Sequence, residues 1–127
     1  MKAAVLYAQK EIRIEDIEKP VIEDNEVLIK VKASGICGSD IPRVLGTASH
    51  YYPNVFGHEF SGEVVEMGRE VKNVHIGDKV SVAPLKPCHS CVDCLSGNHA
   101  LCKNYSFIGS REYGAWAEYV KVPEVNI

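Results

Sequence analysis

Apolar and polar residues alternate with a period of two along much of the chain, and glycine or proline breaks the alternation every few residues. That pattern predicts short strands joined by tight turns, not long helices. Residues 2–7 and 11–15 read as two strands with 8–10 turning between them. Over 26–33 the apolar Val27, Ile29, Val31 and Ala33 alternate with Glu26, Leu28, Lys30 and Lys32, as in a half-buried strand. Residues 63–67 form a strand signal between Gly62 and Gly68. Gly77-Asp78 is a turn, and 79–83 is the next strand, ended by Pro84 and Pro87. The last strand signal is 113–122, closed by Pro123. Helix signals are few. One covers 39–45, capped by Ser39 or Asp40, with Pro42 in the first turn and Gly46 as the stop. The other is a single turn at 92–96 closed by Gly97. Together these predict a mainly β fold, a partly open β-barrel with short helices.

Composition narrows the function classes. A chain of 127 residues suits one compact domain with a real core. The net charge is -3, with acids and bases interspersed, so the dense basic patch that a nucleic-acid surface needs is missing. No apolar run approaches the ~20 residues that span a bilayer. The first ten residues lack an apolar core followed by a small-residue cleavage site, so the expected compartment is the cytoplasm.

Cysteine placement changes the picture most. Cys88, Cys91, Cys94 and Cys102 are crowded together and Cys37 stands apart. An odd count without a secretory signal fits reduced thiols better than a disulfide framework. The crowded four have the spacing C-x2-C-x2-C-x7-C, which lets four thiolates converge on one Zn2+ and close its tetrahedron, as in structural zinc sites. The rival is an iron–sulfur cluster, whose bacterial run shares C-x2-C-x2-C but continues x3-C-P, whereas Lys103 follows Cys102 here. This four-cysteine zinc lobe is expected over about 84–105, with His89 and His99 facing solvent. Asp93 and Asn98 are candidates to support its thiolates.

Cys37 lies in Gly35-Ile-Cys-Gly-Ser-Asp40, and His58 and Glu59 lie in Gly57-His-Glu-Phe-Ser-Gly62, both glycine-bounded turns. Thiolate, imidazole and carboxylate are what an open zinc site uses, three protein ligands leaving a position for water or an alcohol.

The full spacing Gly57-His58-Glu59-x2-Gly62-x5-Gly68-x2-Val71 resembles the signature of zinc-containing alcohol dehydrogenases. The resemblance extends over essentially the whole chain, through Cys37-Gly-Ser-Asp40, Gly77-Asp-x-Val80, the four-cysteine lobe and Gly114-Ala-Trp-Ala-Glu-Tyr119. It is to the medium-chain dehydrogenase superfamily. Members pair an N-terminal GroES-like β-barrel catalytic domain with a Rossmann domain that binds NAD(P). The resemblance implies a catalytic zinc on Cys37 and His58, with Glu59 able to approach or exchange onto the metal. It also implies a structural zinc on Cys88, Cys91, Cys94 and Cys102. Ser39 would hydrogen-bond the substrate alcohol and start proton removal, and Asp40 would orient the histidine ligand.

No G-x-G-x-x-G occurs, so residues 1–127 are expected to be the GroES-like catalytic domain alone. A C-terminal NAD-binding domain is expected to be missing and this chain to be inactive by itself. Full-length relatives imply a homo-oligomer, a dimer or tetramer. The stretches 37–43, 50–53, 57–62 and 107–111 are most similar to the galactitol-1-phosphate dehydrogenase branch. They imply oxidation of galactitol 1-phosphate to tagatose 6-phosphate with NAD. Sorbitol (L-iditol), butanediol and threonine dehydrogenases share the zinc motifs. Arg43 and Arg111 are candidate phosphate ligands, and His50, Tyr51 and Phe107 candidate pocket residues. Many relatives carry a relay histidine where Pro42 stands; His50 is the candidate substitute. A different class also stays open: a zinc-stabilised binding module without chemistry, which would not need the Cys37–His58 site.

Overall fold

A computed structural model describes residues 1–47 and 50–127. Among the described residues the strands are β1 (Lys2–Ala8), β2 (Glu11–Asp16), β3 (Glu26–Ser34), β4 (Asn54–Val55), β5 (Phe60–Met67), β6 (Lys79–Ser81), β7 (Leu85–Lys86), β8 (Ser106–Phe107) and β9 (Tyr119–Pro123). The short helices are α1 (Asp40–Leu45) and α2 (Val92–Leu95).

The strands form three antiparallel sheets, ordered β2-β1-β4, β6-β5-β3-β9 and β7-β8. The first two are stitched together by an Ala3–Ala117 bridge and by the Ala4 amide donating to the Trp116 carbonyl at 2.7 Å. Val27, Ile29, Phe60, Val64, Ile108, Val120 and Val122 form the main core beneath the four-stranded sheet. Ala3, Val5 and Val55 form a smaller one, with Trp116 packed against it. At 25 cal/mol per Å2 of apolar area, each fully buried valine or leucine contributes roughly 1.5–3 kcal/mol. The fold is the mainly β, partly open architecture that the sequence predicts.

Three elements depart from the sequence pattern. Residues 26–29 are buried on both faces, Leu28 as completely as Val27 and Ile29, in a strand whose edges are also covered by β5 and β9. Glu26 tolerates this burial by pairing with Lys121 at 3.1 Å. The strand expected over 113–122 is regular only from Tyr119. Before it, the amides of Gly114, Ala115 and Trp116 donate to the carbonyls of Val55, Gly57 and Phe56, so the segment crosses between sheets. The strand expected over 79–83 stops at Ser81, the Ala83 amide being taken by the Asn126 carbonyl at 2.8 Å. No described helix is long and apolar enough to cross a membrane.

Candidate metal centres

Cys37 follows β3 directly. The Asp40 carboxylate folds back to accept the Cys37 amide at 3.0 Å, and the Asp40 amide donates to the Cys37 carbonyl at 2.9 Å. This local closure presents the thiol and starts α1. Ser39 stands at the helix N-cap position but makes no side-chain cap, so its hydroxyl is not spent on the backbone.

His58 is delivered by backbone packing. Gly57 has φ +96°, and a Cβ there would lie 2.7 Å from the Trp116 amide nitrogen. Gly109 and Gly114 crowd the same carbonyl: a Cβ on either would stand 2.4 Å from the Gly57 oxygen. Gly57 in one segment and Gly109 and Gly114 in a distant one therefore let two loops touch main chain to main chain, which a side chain would forbid.

The result is that Cys37, His58 and Glu59 converge, with donor atoms all within 4.8 Å of one another. His58 is buried, Cys37 half-buried and Glu59 exposed. Behind the imidazole, Asp40 is 1% exposed and its Oδ1 lies 3.5 Å from His58 Nδ1. Those two atoms and Ser34 Oγ are the described buried side-chain polar atoms without a hydrogen-bond partner. All three flank the Cys37 turn. Such orphans mark a site held for something other than its own stability. The facing carboxylate favours a proton on Nδ1 and leaves the Nε2 lone pair for a metal. One thiolate, one imidazole and a carboxylate at this spacing fit Zn2+ with an open position.

The second cluster is Cys88, Cys91, Cys94 and Cys102, sulfurs again within 4.8 Å. Cys88 and Cys94 sulfurs are 4.0 Å apart, against the roughly 3.8 Å edge of a tetrahedron with 2.3 Å zinc–sulfur bonds. The Ser90 hydroxyl and the Ser90 and Cys91 amides hold the Cys88 thiol down to about 5. Burial, with crowding by Cys91 and Cys102, pushes Cys94 up to about 12. Four thiol sulfurs at this spacing fit the closed tetrahedron of a structural zinc. The Ser90 hydroxyl, at 3.5 Å from the Cys88 sulfur, supports a thiolate; no described side-chain contact from Asp93 or Asn98 does. His89 and His99 are exposed, with ring centroids 5.1 Å apart.

A cavity of about 380 Å3 adjoins the first cluster, lined by Ser39, Arg43, His58, Leu85, Ala100, Tyr105, Phe107 and Ser110. Its size is that of a small-molecule site. Sequence reasoning missed Leu85, Tyr105 and Ser110, which reach the wall through the two-residue pairing of β7 with β8 and the turn after it. Such short pairings carry no periodicity. The structure brings Ser39, Arg43 and Phe107 to this wall, and leaves three other sequence candidates off it. Tyr51 is 68% exposed. His50 Nε2 bonds the Ser110 carbonyl at 2.8 Å, and its ring packs edge-on to Phe56 at 4.8 Å. Arg111 lies 4.0 Å over the Tyr105 ring. A larger cavity of about 730 Å3 contains none of the candidate ligands; in its wall Lys86 pairs with Glu112 at 2.7 Å and Lys121 with Glu26 at 3.1 Å.

A mainly β domain thus carries a three-donor Cys–His–Glu cluster and a four-cysteine cluster, each with the donor set of a zinc site. The chain belongs to the alcohol dehydrogenase GroES-like domain family, which matches residues 23–127. It is 42% identical to the galactitol 1-phosphate 5-dehydrogenase of Escherichia coli K12 over all of this chain and 37% of that relative. The crystal structure of the E. coli galactitol-1-phosphate dehydrogenase superposes with a TM-score of 0.93, covering 99% of this chain and 37% of that one. An L-threonine 3-dehydrogenase from Bacillus velezensis is 43% identical over 90% of this chain and 34% of its own length. A short chain alcohol dehydrogenase from E. coli CFT073, solved in complex with NADH, has a TM-score of 0.92 at 34% identity, covering 99% of this chain and 37% of its own. The chain thus spans a little over a third of the length of the relatives it matches.

Proposed function

We propose that this chain is the catalytic domain of a zinc-dependent polyol dehydrogenase, which oxidises a secondary alcohol to a ketone with NAD, and that its substrate is galactitol 1-phosphate. The observation that carries the reading is the meeting of Cys37, His58 and Glu59 beside a cavity that also exposes Ser39. A binding module has no use for a buried carboxylate aimed at a ligand histidine.

When bound, zinc would supply Lewis acidity toward the alcohol oxygen, and NAD the hydride acceptor. The rest falls to the chain's own residues. Cys37 and His58 hold the metal, and Asp40 fixes the imidazole so that its ring does not rotate away. Ser39 Oγ, uncommitted to capping, accepts the hydrogen bond of the substrate hydroxyl and starts its proton toward solvent. Pro42 has no N–H and carries no proton onward. Leu85 and Phe107 exclude water from the reacting carbon. The four-cysteine lobe holds its loop. Galactitol 1-phosphate is favoured by 42% identity to the enzyme of that name across the whole chain.

Metal analysis and NAD reduction test the reading in the complete enzyme. Two zinc per chain are expected, one lost in Cys37→Ser and in His58→Ala, together with turnover of galactitol 1-phosphate. One zinc, indifferent to both substitutions, points to the binding module. Turnover of L-threonine, sorbitol or butanediol in preference to galactitol 1-phosphate keeps the chemistry and replaces the substrate.

A further inference from the structure

Arg43 is held in the wall of the 380 Å3 cavity next to Ser39 and His58, with its side chain 27% exposed. Its backbone is pinned, because the Tyr52 hydroxyl donates to the Arg43 carbonyl at 3.0 Å. A guanidinium offers five donors and a permanent charge. Among the described residues none of those donors makes a hydrogen bond. The nearest carboxylate oxygen, Asp40 Oδ1, is 4.0 Å away, and the other Asp40 oxygen is taken by the Cys37 amide. Half-buried and held only by this long ion pair, the guanidinium has donors left for an acceptor in the cavity.

Arg111 differs in both respects. It is exposed, its plane lies over Tyr105, and its Nη1 donates to the Tyr105 carbonyl at 3.1 Å. Its plane and one of its donors are committed to a loop. Of the two arginines that the sequence offers as anion ligands, Arg43 alone is placed to meet a bound molecule.

Building on the polyol reading above, we infer that Arg43 is a specificity-determining residue: it selects an alcohol that also carries an oxyanion, a phosphate or a carboxylate, over a neutral polyol. The fork of the guanidinium matches either group bidentately. Leu85, Ala100 and Phe107 give the same cavity apolar wall for the carbon chain between anion and reacting hydroxyl. Arg43 takes no part in hydride or proton transfer; it acts by seating the substrate.

The test compares galactitol 1-phosphate, L-galactonate and galactitol in the complete zinc-loaded enzyme, by kcat/KM with NAD and by calorimetric binding. Arg43→Gln is expected to lower kcat/KM for galactitol 1-phosphate by about 10- to 100-fold, chiefly through KM, and to weaken its calorimetric affinity in parallel. The preference over galactitol shrinks by the same factor. Arg43→Lys keeps the charge without the fork and falls between, with zinc content at the wild-type level, which separates loss of the contact from loss of the fold. Arg111→Gln shifts the preference by less than about threefold. A wild-type preference in Arg43→Gln, or its collapse in Arg111→Gln instead, overturns the assignment. If galactitol 1-phosphate is turned over equally by wild type and Arg43→Gln, the substrate reading stands and this inference falls. If the wild type prefers L-galactonate and Arg43→Gln erases that preference, Arg43 stands as the oxyanion ligand and the phosphate substrate is replaced.

Discussion

His50 shows what burial does to a residue that sequence alone leaves ambiguous. Its position in a proline-bounded loop near Ser39 made it a candidate relay in place of Pro42. The structure spends it on packing: one face on Phe56, one nitrogen on the Ser110 carbonyl. Burial lowers its pKa from 6.5, the Ser110 bond opposes that shift, and the Arg43 charge adds to it. A base whose folded pKa lies below its unfolded value stabilises the fold fully above pH 6.5 and loses that share as pH falls through the folded value. The melting temperature is therefore expected to fall between pH 7 and 5, and His50→Gln to flatten that slope. Glu124, held low by the Asn73 and Lys72 amides, withdraws its share only below its ordinary 4.5, so the two windows separate. An unchanged slope between pH 7 and 5 in His50→Gln removes the histidine as the cause.

At the scale of elements, legibility followed periodicity. The strand at 2–8 is a short apolar run ended by a turn, and those at 11–16 and 26–34 carry alternation; each is found within a residue or two of where the pattern puts it. The two-residue strands Asn54–Val55, Leu85–Lys86 and Ser106–Phe107 have no period to read, and they exist because distant main chain lies opposite them. The metal-ligand candidates stood out because spacing between donors is itself chemical information. The cavity wall did not, since it depends on which short loops touch. Those contacts rest on Gly57, Gly109 and Gly114, whose glycines were visible in the sequence but whose mutual contact was not. Gly57→Ala should cost about 3 kcal/mol, from positive φ plus a Cβ 2.5 Å from the Trp116 ring. Urea unfolding measures it. Because His58 is the next residue, the same variant should bind zinc more weakly at the Cys37 cluster and normally at the lobe. Wild-type stability in Gly57→Ala would mean the loops do not meet as described.

Across the whole molecule the two clusters differ in what they hold and in what holds them. The sheets bury their own core, and the Cys37 turn is closed by Asp40 without help from a metal. The lobe has no such core: Val92, Leu95 and Leu101 are 72%, 75% and 64% exposed. Its order must come from thiolates on a cation, and four of them close its coordination. The Cys37 cluster offers three donors, one of them the exposed Glu59, so a zinc held there would have an open position. A chelator therefore reaches the first metal by simple substitution at the open position, and the second only by displacing a thiolate. Graded chelation should release zinc in two steps. The first should abolish binding at Cys37 and His58 while circular dichroism stays native. The second should open residues 88–102 to protease and leave the sheets folded. A colorimetric zinc indicator, run beside limited proteolysis, follows both. Loss of the lobe metal first would mean that four thiolates confer less kinetic protection here than the Asp40-backed histidine, and the division into a reactive and a scaffolding zinc would have to be reversed.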